Sequence, residues 1–338
     1  MKFLVTGGAG YIGVPLIEQL LEKGDNITCL DRFFFGKQTL SKLQNNPRLN
    51  LVRDDIRWFD PELLKGVDVV IDLAALSNDP SGDLNPAKTY DINYLGRLRV
   101  AKLCKEYGVS RYILASTCSV YGFHDQILDE KSQTNPLTTY AKSAVKAEED
   151  ILPLGDDKFT VIAPRFATVY GLAPRMRFDL AINAMVLRLY KTGKISVMRD
   201  GSQWRPFMHV RDVARAYILL AEAEPEKVNG QIINVGSNEQ NYQLLPLAKL
   251  LGDNIGKPYE LDWYGDPDKR SYRVNFDKVK QLGFKTNYTP EYATKEISQA
   301  LESGEITDDI KTRTVEWYKH LLSSEGLYKE VALRETLL

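Results

Sequence analysis

Short apolar runs alternate with longer amphipathic stretches through the first half of the chain, the pattern of a parallel sheet whose strands are joined by covering helices. The runs predict strands at 2–6, 26–30, 49–52, 67–73, 111–115 and 160–163. Between the fourth and fifth, the stretch 86–107 places Leu95, Leu98 and Leu103 near helical spacing, with Gly108 as a stop. It predicts one long helix whose leucines pack on the sheet. After Arg165 the rhythm changes to a Gly-, Pro- and Arg-rich loop at 171–177, a helix at 178–190 and a turn before His209. A helix at 211–222 and a strand at 231–235 follow, and Pro246, Pro258, Pro267 and Pro290 punctuate a mixed remainder. The fold class expected is α/β, a doubly wound parallel sheet with a smaller mixed α/β cap. Residues 1–165 and 207–235 form the first domain, 166–206 and 236–325 the second, and 326–338 a tail.

Composition narrows this reading by exclusion. Lys+Arg number 44 and Asp+Glu 45 in 338 residues, and 43% of positions are hydrophobic. Neither a nucleic-acid binder relying on bulk charge nor a disordered chain has that balance. No apolar run approaches the roughly 18 residues of a membrane span, and Gly7 and Gly8 cut short the apolar start, so a cytoplasmic protein is expected. Cys29, Cys104 and Cys118 are widely spaced, and with three histidines they suggest neither a disulfide framework nor a metal site.

The first predicted strand runs into Gly7, Gly8, Gly10 and Gly13, followed by a helical pattern from Val14. Gly7 permits a tight turn, Gly10 lets backbone approach a pyrophosphate, and Gly13 lets helix and strand pack closely, while the helix amino terminus offers N–H groups to the anion. Pro15 is tolerated in the first turn. Such a loop alone could be an ordinary turn. Here Asp31 closes the second strand 18 residues beyond Gly13, placed to accept from an adenosine ribose hydroxyl. Its charge disfavours a 2′-phosphate, which points to NAD, although Arg32 stands beside it.

The glycine loop 7–13, Asp54-Asp55-Ile56-Arg57, Asp72-Leu73-Ala74-Ala75, the stretch 115–122, Tyr140-Ala141-Lys142-Ser143 and the stretch 205–212 together resemble the extended short-chain dehydrogenase/reductase family, in its nucleotide-sugar epimerase/dehydratase branch. The resemblance spans nearly the whole chain and implies a Rossmann-type domain, NAD as cofactor, a nucleotide-diphosphate sugar as partner and a homodimer. It implies that Tyr11 and Ile12 belong to the dinucleotide loop, that Asp55 and Ile56 flank the adenine and that Ala74 and Ala75 line the dinucleotide. Tyr140 would be the proton-transfer residue and Thr117 a hydroxyl on the reacting sugar oxygen. Hydride leaving a carbinol carbon requires the hydroxyl proton to leave too, so two hydroxyls converging on one oxygen make chemical sense.

One position departs from the family, which carries a lysine four residues after the tyrosine to lower the phenol pKa. Here that residue is Ala144. At about 100° per residue, a side chain at +4 returns to within roughly 40° of Tyr140, whereas Lys142 and Lys146 point off that face. With no adjacent cation, a phenol of pKa near 10 is only about a thousandth ionised at neutral pH. Two explanations stand: an engineered truncation, favoured by the intact neighbouring motifs, or a natural chain that lost or relocated the function. Under the first, restoring Lys at 144 is expected to raise turnover by orders of magnitude.

For the substrate, the resemblance implies that Asn183 contacts the nucleotide diphosphate and that Arg205 and Arg270 bind phosphate, a task suited to guanidinium groups. Arg175 and Arg177 are further candidates against the alternative of a solvated loop. Leu76, Ser77, Asn78 and Asp79 should approach the hexose, and Thr168 stands where many relatives carry Asn. His209 reads as structural, belonging with the helix that follows. Family dehydratases need an Asp-Glu pair after Thr117, decarboxylases a Glu at 119 and 3,5-epimerases a Cys base there; this chain has Cys118 and Ser119. C4 epimerisation through a transient 4-keto sugar is therefore expected. A 4-ketosugar reductase or dehydratase, or a non-catalytic binder of NAD and nucleotide sugars, remain alternatives.

Overall fold

The apolar runs become the strands of a central sheet in the computed structural model, which describes residues 1–266 and 270–324; the tail at 326–338 lies outside them. They are β1 (Lys2–Thr6), β2 (Asn26–Asp31), β3 (Leu49–Arg53), β4 (Val69–Asp72), β5 (Arg111–Leu114), the two-residue β6 (Ser116–Thr117), β8 (Thr160–Phe166) and β12 (Gln231–Val235). Their order is β12-β8-β5-β4-β1-β2-β3, with β6 also on β8, and every pair is parallel. The expected α/β class with a doubly wound parallel sheet is what the chain adopts.

Strand alternation sends side chains to two cores. On one face Val5, Cys29, Ile71, Ile113 and Ile162 meet α1 (Gly13–Glu22) and α7 (Val210–Glu222) through Leu16, Ile17, Leu20, Val213 and Tyr217. On the other, Leu4, Leu30, Val70, Tyr112 and Val161 meet α4 (Arg97–Glu106) and α5 (Thr139–Ile151) through Val100, Ala101, Cys104, Ala147 and Ile151. After β4 the chain makes the short α2 (Asp79–Gly82), capped by Asn78, and α3 (Pro86–Tyr90), where Asn85 caps and Pro86 occupies the first turn.

The single leucine-faced helix expected over 86–107 is not what forms. Between α3 and α4 the rod widens into a π-helical segment, Asp91–Gly96. Leu95 points to solvent at 52% exposed and Leu98 and Leu103 are only partly buried, while Asn93, Arg97, Val100, Ala101 and Cys104 face the sheet. One inserted residue rotates the following face by about 100°, and Asn93 and Arg97 can turn inward because backbone at the strand ends satisfies them.

The second half adds β7 (Phe123–Leu128), paired with β15 (Ser271–Val274); a three-stranded sheet of β9 (Thr168–Tyr170), β11 (Trp204–His209) and β13 (Asn241–Gln243); and the parallel pair β10 (Lys194–Met198) and β14 (Glu260–Tyr264). Around them α6 (Ala181–Thr192), α9 (Leu244–Ile255) and α11 (Pro290–Glu302) enclose a separate core of Ile182, Val186, Val197, Phe207, Leu247, Leu251 and Ile297. The short α8 (Pro225–Val228) precedes β12, and α10 (Asp277–Gln281) packs on it. The last described helix, α12 (Thr314–Ser323), returns to the central sheet, where Trp317, Tyr318 and Leu321 pack with Leu76, Phe34 and Phe35.

Candidate active site

Parallel strands end together, and a crevice opens beyond their carboxyl ends where connections diverge to opposite faces. Here it is a cleft of about 770 Å³, roofed by the second half of the chain. Of the residues singled out from sequence, it is lined by Gly7, Gly10, Tyr11, Ile12, Gly13, Asp31, Arg32, Asp55, Ile56, Ala74, Ala75, Leu76, Ser77, Asn78, Thr117, Tyr140, Arg175, Arg177, Arg205 and Arg270. Ala144 and Asn183 do not line it.

At one end the glycine loop lies directly on neighbouring backbone. A Cβ on Gly7, whose φ is +64°, would sit 2.9 Å from the Ala74 nitrogen, and one on Gly13 would sit 2.5 Å from the Gly8 carbonyl oxygen. No side chain of the described residues caps α1; Val14 donates to the Gly10 carbonyl at 3.2 Å and Pro15 has no N–H, so the Gly13 N–H is what the helix start offers an anion. The Asp31 carboxylate accepts from the amides of Ala9 (3.0 Å) and Phe33 (2.6 Å), holding this loop against the next; burial raises its pKa. Arg32 donates to Asp55 at 2.9 Å and lies over the Phe34 ring. Burial works against the Asp55 charge, but hydrogen bonds from Arg57 and the charges of Arg57 and Arg32 hold its pKa below the usual value. These groups fit a dinucleotide: a cradle with no room for side chains, an uncapped helix end and a carboxylate at the end of β2.

Arg175 stands at this same end. Its guanidinium lies 3.6 Å from the Phe35 ring centroid, donates to the Thr314 hydroxyl at 3.0 Å and acts electrostatically on Asp31. Its Nε is buried without a hydrogen-bond partner, and burial and the Arg177 charge bring its pKa down to about 10. Both arginines of this loop are buried, not solvated.

Tyr140 and Thr117 both line the cleft at its other end. Thr138 caps α5, placing Tyr140 in its first turn. The Thr117 Oγ1 accepts from the Ser119 amide at 3.1 Å, which leaves its hydroxyl proton free to point into the cleft that Tyr140 also lines. Burial raises the phenol pKa, Asp79 adds to this, and Arg97, Thr117 and Arg177 oppose it. Cys118 is fully buried, donates to the Arg165 carbonyl and is held protonated by burial. Arg177 holds Asp179 through Nε at 3.0 Å and Nη2 at 2.8 Å, and Asn78 also donates to Asp179 at 2.9 Å. Arg270 pairs with Asp79 across the cleft, and Arg205 donates to the Arg270 carbonyl and lies over the Tyr272 ring.

Asn183 is placed differently from the expectation. It is wholly buried in α6, donates to the Tyr11 hydroxyl (3.0 Å) and the Arg177 carbonyl (2.9 Å), and accepts from the Gly171 amide (2.9 Å). With its amide spent on protein, it braces the wall behind the cleft instead of reaching into it. His209 accepts from the Arg211 amide as the cap of α7 and meets Glu296 at 2.6 Å, a structural role as expected.

Sequence reading missed Arg97, Tyr217, Phe34, Phe35, Thr314 and Tyr318, all on the cleft wall. The run Phe33-Phe34-Phe35 in a polar loop was a usable signal; α12, nearly three hundred residues from the loop it covers, gave none.

The pattern defining the NAD dependent epimerase/dehydratase family matches residues 3–236. Among known proteins, the chain is 29% identical over 313 residues to a Bacillus subtilis (strain 168) protein named uncharacterized UDP-glucose epimerase YtcB, covering 88% of this chain and 95% of that one. It is 30% identical over 315 residues to UDP-glucuronic acid decarboxylase 1 of Arabidopsis thaliana, covering 88% and 68% respectively. Among solved structures, MoeE5 in complex with UDP-glucuronic acid and NAD matches with a TM-score of 0.79 at 26% identity, over 90% of this chain and 100% of that one.

Proposed function

The chain belongs to the NAD dependent epimerase/dehydratase family, and from that premise we propose that it is a C4 epimerase of a nucleotide-diphosphate hexose, a UDP sugar by the names of its relatives. The carrying observation is the composition of the reacting end. Tyr140 and Thr117 line the same end of the cleft, while Cys118 is buried and Ser119 bears no charge. Elimination and decarboxylation in this family call on acids or bases at those two positions. Oxidation and re-reduction at one carbinol carbon need only a group that takes and returns one proton.

NAD supplies, when bound, the acceptor and donor of that hydride. The glycine loop and the amino terminus of α1 would hold its diphosphate, Asp31 its adenosine ribose, Asp55 and Ile56 the adenine edge, and Ala74 and Ala75 its path to the reacting end. We assign Arg175 to this group as well, because its unpartnered Nε and its place beside Asp31 suit a phosphate oxygen. Arg205 and Arg270 would take the sugar-nucleotide phosphates, and Ser77, Asn78 and Arg177 the hexose. Thr117 orients the carbinol oxygen, Tyr140 accepts its proton as hydride leaves carbon, and the same phenol returns it after the keto sugar turns over in the cleft.

The test incubates the protein with UDP-hexoses and UDP-hexuronic acids. The C4 epimer should accumulate without added reduced cofactor and with no net change in the nicotinamide absorbance band. Stoichiometric consumption of reduced cofactor would identify a reductase and release of carbon dioxide a decarboxylase. Equal behaviour of the parent and Tyr140→Phe would identify a binding protein without catalysis.

A further inference from the structure

We propose that Arg97 supplies the positive charge that position 144 lacks, so that the cation stabilising the Tyr140 phenolate is carried by α4 instead of α5. This rests on the reading of Tyr140 as the proton-transfer residue. Arg97 is 4% exposed yet lines the cleft. Its guanidinium donates through Nε to the Ala74 carbonyl (3.1 Å) and through Nη1 to the Ala115 carbonyl (2.8 Å). Those carbonyls lie just past the ends of β4 and β5, and Ala115 is two residues before Thr117. Among the described residues no carboxylate lies within ion-pair distance of Arg97, although buried charges are ordinarily paired. A guanidinium fixed on two neutral carbonyls in the wall of the cleft that Tyr140 also lines is placed for a negative charge that forms and disappears during turnover.

Packing of the two helices supports the exchange. Asn93, one turn before Arg97 on the same face, donates to the Ser143 hydroxyl at 3.5 Å, so this face meets α5 where Ala144 presents only a methyl group. Neither lysine of α5 can serve instead. Lys142 is exposed, and Lys146 is engaged by Glu149 and Asp150. The other groups acting on Tyr140 are Asp79 from α2, which opposes ionisation and is itself paired with Arg270, and Arg177, which is occupied by Asp179. Tyr217 from α7 also faces this cluster, with its hydroxyl buried and unpartnered. Arg97 keeps its protons throughout: the carbinol O–H bond breaks toward the Tyr140 oxygen, and the guanidinium alters only how much of the phenol is ready to receive that proton.

The test follows Tyr140 ionisation by NMR of tyrosine-labelled protein, with Tyr140→Phe identifying the signal. In Arg97→Gln, which keeps amide donors for a carbonyl but removes the charge, the Tyr140 pKa should rise by about 1 to 3, the effect of losing an opposite charge nearby. The alkaline-rising limb of the turnover profile should move with it. Adding Ala144→Lys to Arg97→Gln should bring both back, whereas Ala144→Lys in the parent should gain little. An unmoved Tyr140 titration in Arg97→Gln, or a gain of orders of magnitude from Ala144→Lys with Arg97 intact, would overturn the proposal. If Arg97→Gln does not fold, Arg97→Lys decides: a retained Tyr140 titration supports the charge role, and one raised as far as expected for charge removal rejects it. Because the titration is read without sugar, a Tyr140 that follows Arg97 in a protein turning over no nucleotide sugar would keep this assignment and reject the epimerase.

Discussion

Replacing Glu148 with Gln tests whether one buried ion pair sets the position of both reacting hydroxyls. Glu148 lies on α5 with Tyr140, and its carboxylate accepts from Arg165 Nε (2.9 Å) and Nη2 (2.5 Å) on β8 and from the Ser116 hydroxyl on β6, next to Thr117. Both charged side chains are 4% exposed. Glutamine retains one acceptor but turns an N–H₂ donor toward the guanidinium, leaving Arg165 with the Tyr121 hydroxyl at 3.1 Å. A buried charge stripped of its partner costs about 3–5 kcal/mol. With a urea m-value of about 3 kcal/mol/M, the unfolding midpoint should fall by about 1–1.7 M. Tryptophan fluorescence and far-UV circular dichroism in urea read this directly. The double variant Glu148→Leu, Arg165→Met should recover most of the loss, because the desolvation penalty leaves with the charges. Turnover in Glu148→Gln should fall by roughly 100-fold, the effect of a misplacement of about 1 Å, while NAD affinity stays unchanged. A midpoint shift below about 0.3 M at unchanged m, or a double variant as damaged as the single one, would refute the reasoning.

Three further outcomes follow from the same geometry. Gly13→Ala should reduce NAD affinity at least about tenfold by calorimetry, because the new Cβ meets Gly8 backbone at 2.5 Å and no rotamer can relieve it. Arg175→Met should weaken NAD and spare UDP; the reverse pattern would move this residue to the substrate end. Burial pushes the Tyr272 and Tyr318 phenols up to about 12. A raised folded pKa contributes stability that is complete below pH 10 and drains as pH climbs through 12, on the order of 3 kcal/mol per tyrosine. Tyr318→Phe should therefore flatten the alkaline fall in urea midpoint, and an unaltered slope would contradict that burial.

Most of the cleft was legible because its signals are local. The glycine loop, Asp31 and the Thr117 and Tyr140 segments each declare a turn, a strand end or a helix start from a few adjacent residues. Arg175 and Arg177 read as easily as solvated loop, and only the roof built by α6 and α12 buries them. The strands β9 and β13, three residues each, are too short for alternation to stand out. Asn183 looked like a phosphate ligand until its amide was found committed to Tyr11, Gly171 and Arg177.

By itself the sequence determined the parallel sheet, the dinucleotide cradle and the absence of the lysine expected at 144, since periodicity, glycine geometry and residue identity are properties of neighbours along the chain. Which face of the chain at 91–97 turns toward the cleft was decided only in three dimensions. A single π turn in 91–96 rotates the next helix by about 100°, taking Leu95 out to solvent and Arg97 in to the carbonyls of Ala74 and Ala115. That exchange balances hydrogen bonds at strand ends against the burial of a leucine, and the strand ends exist only once the sheet has assembled.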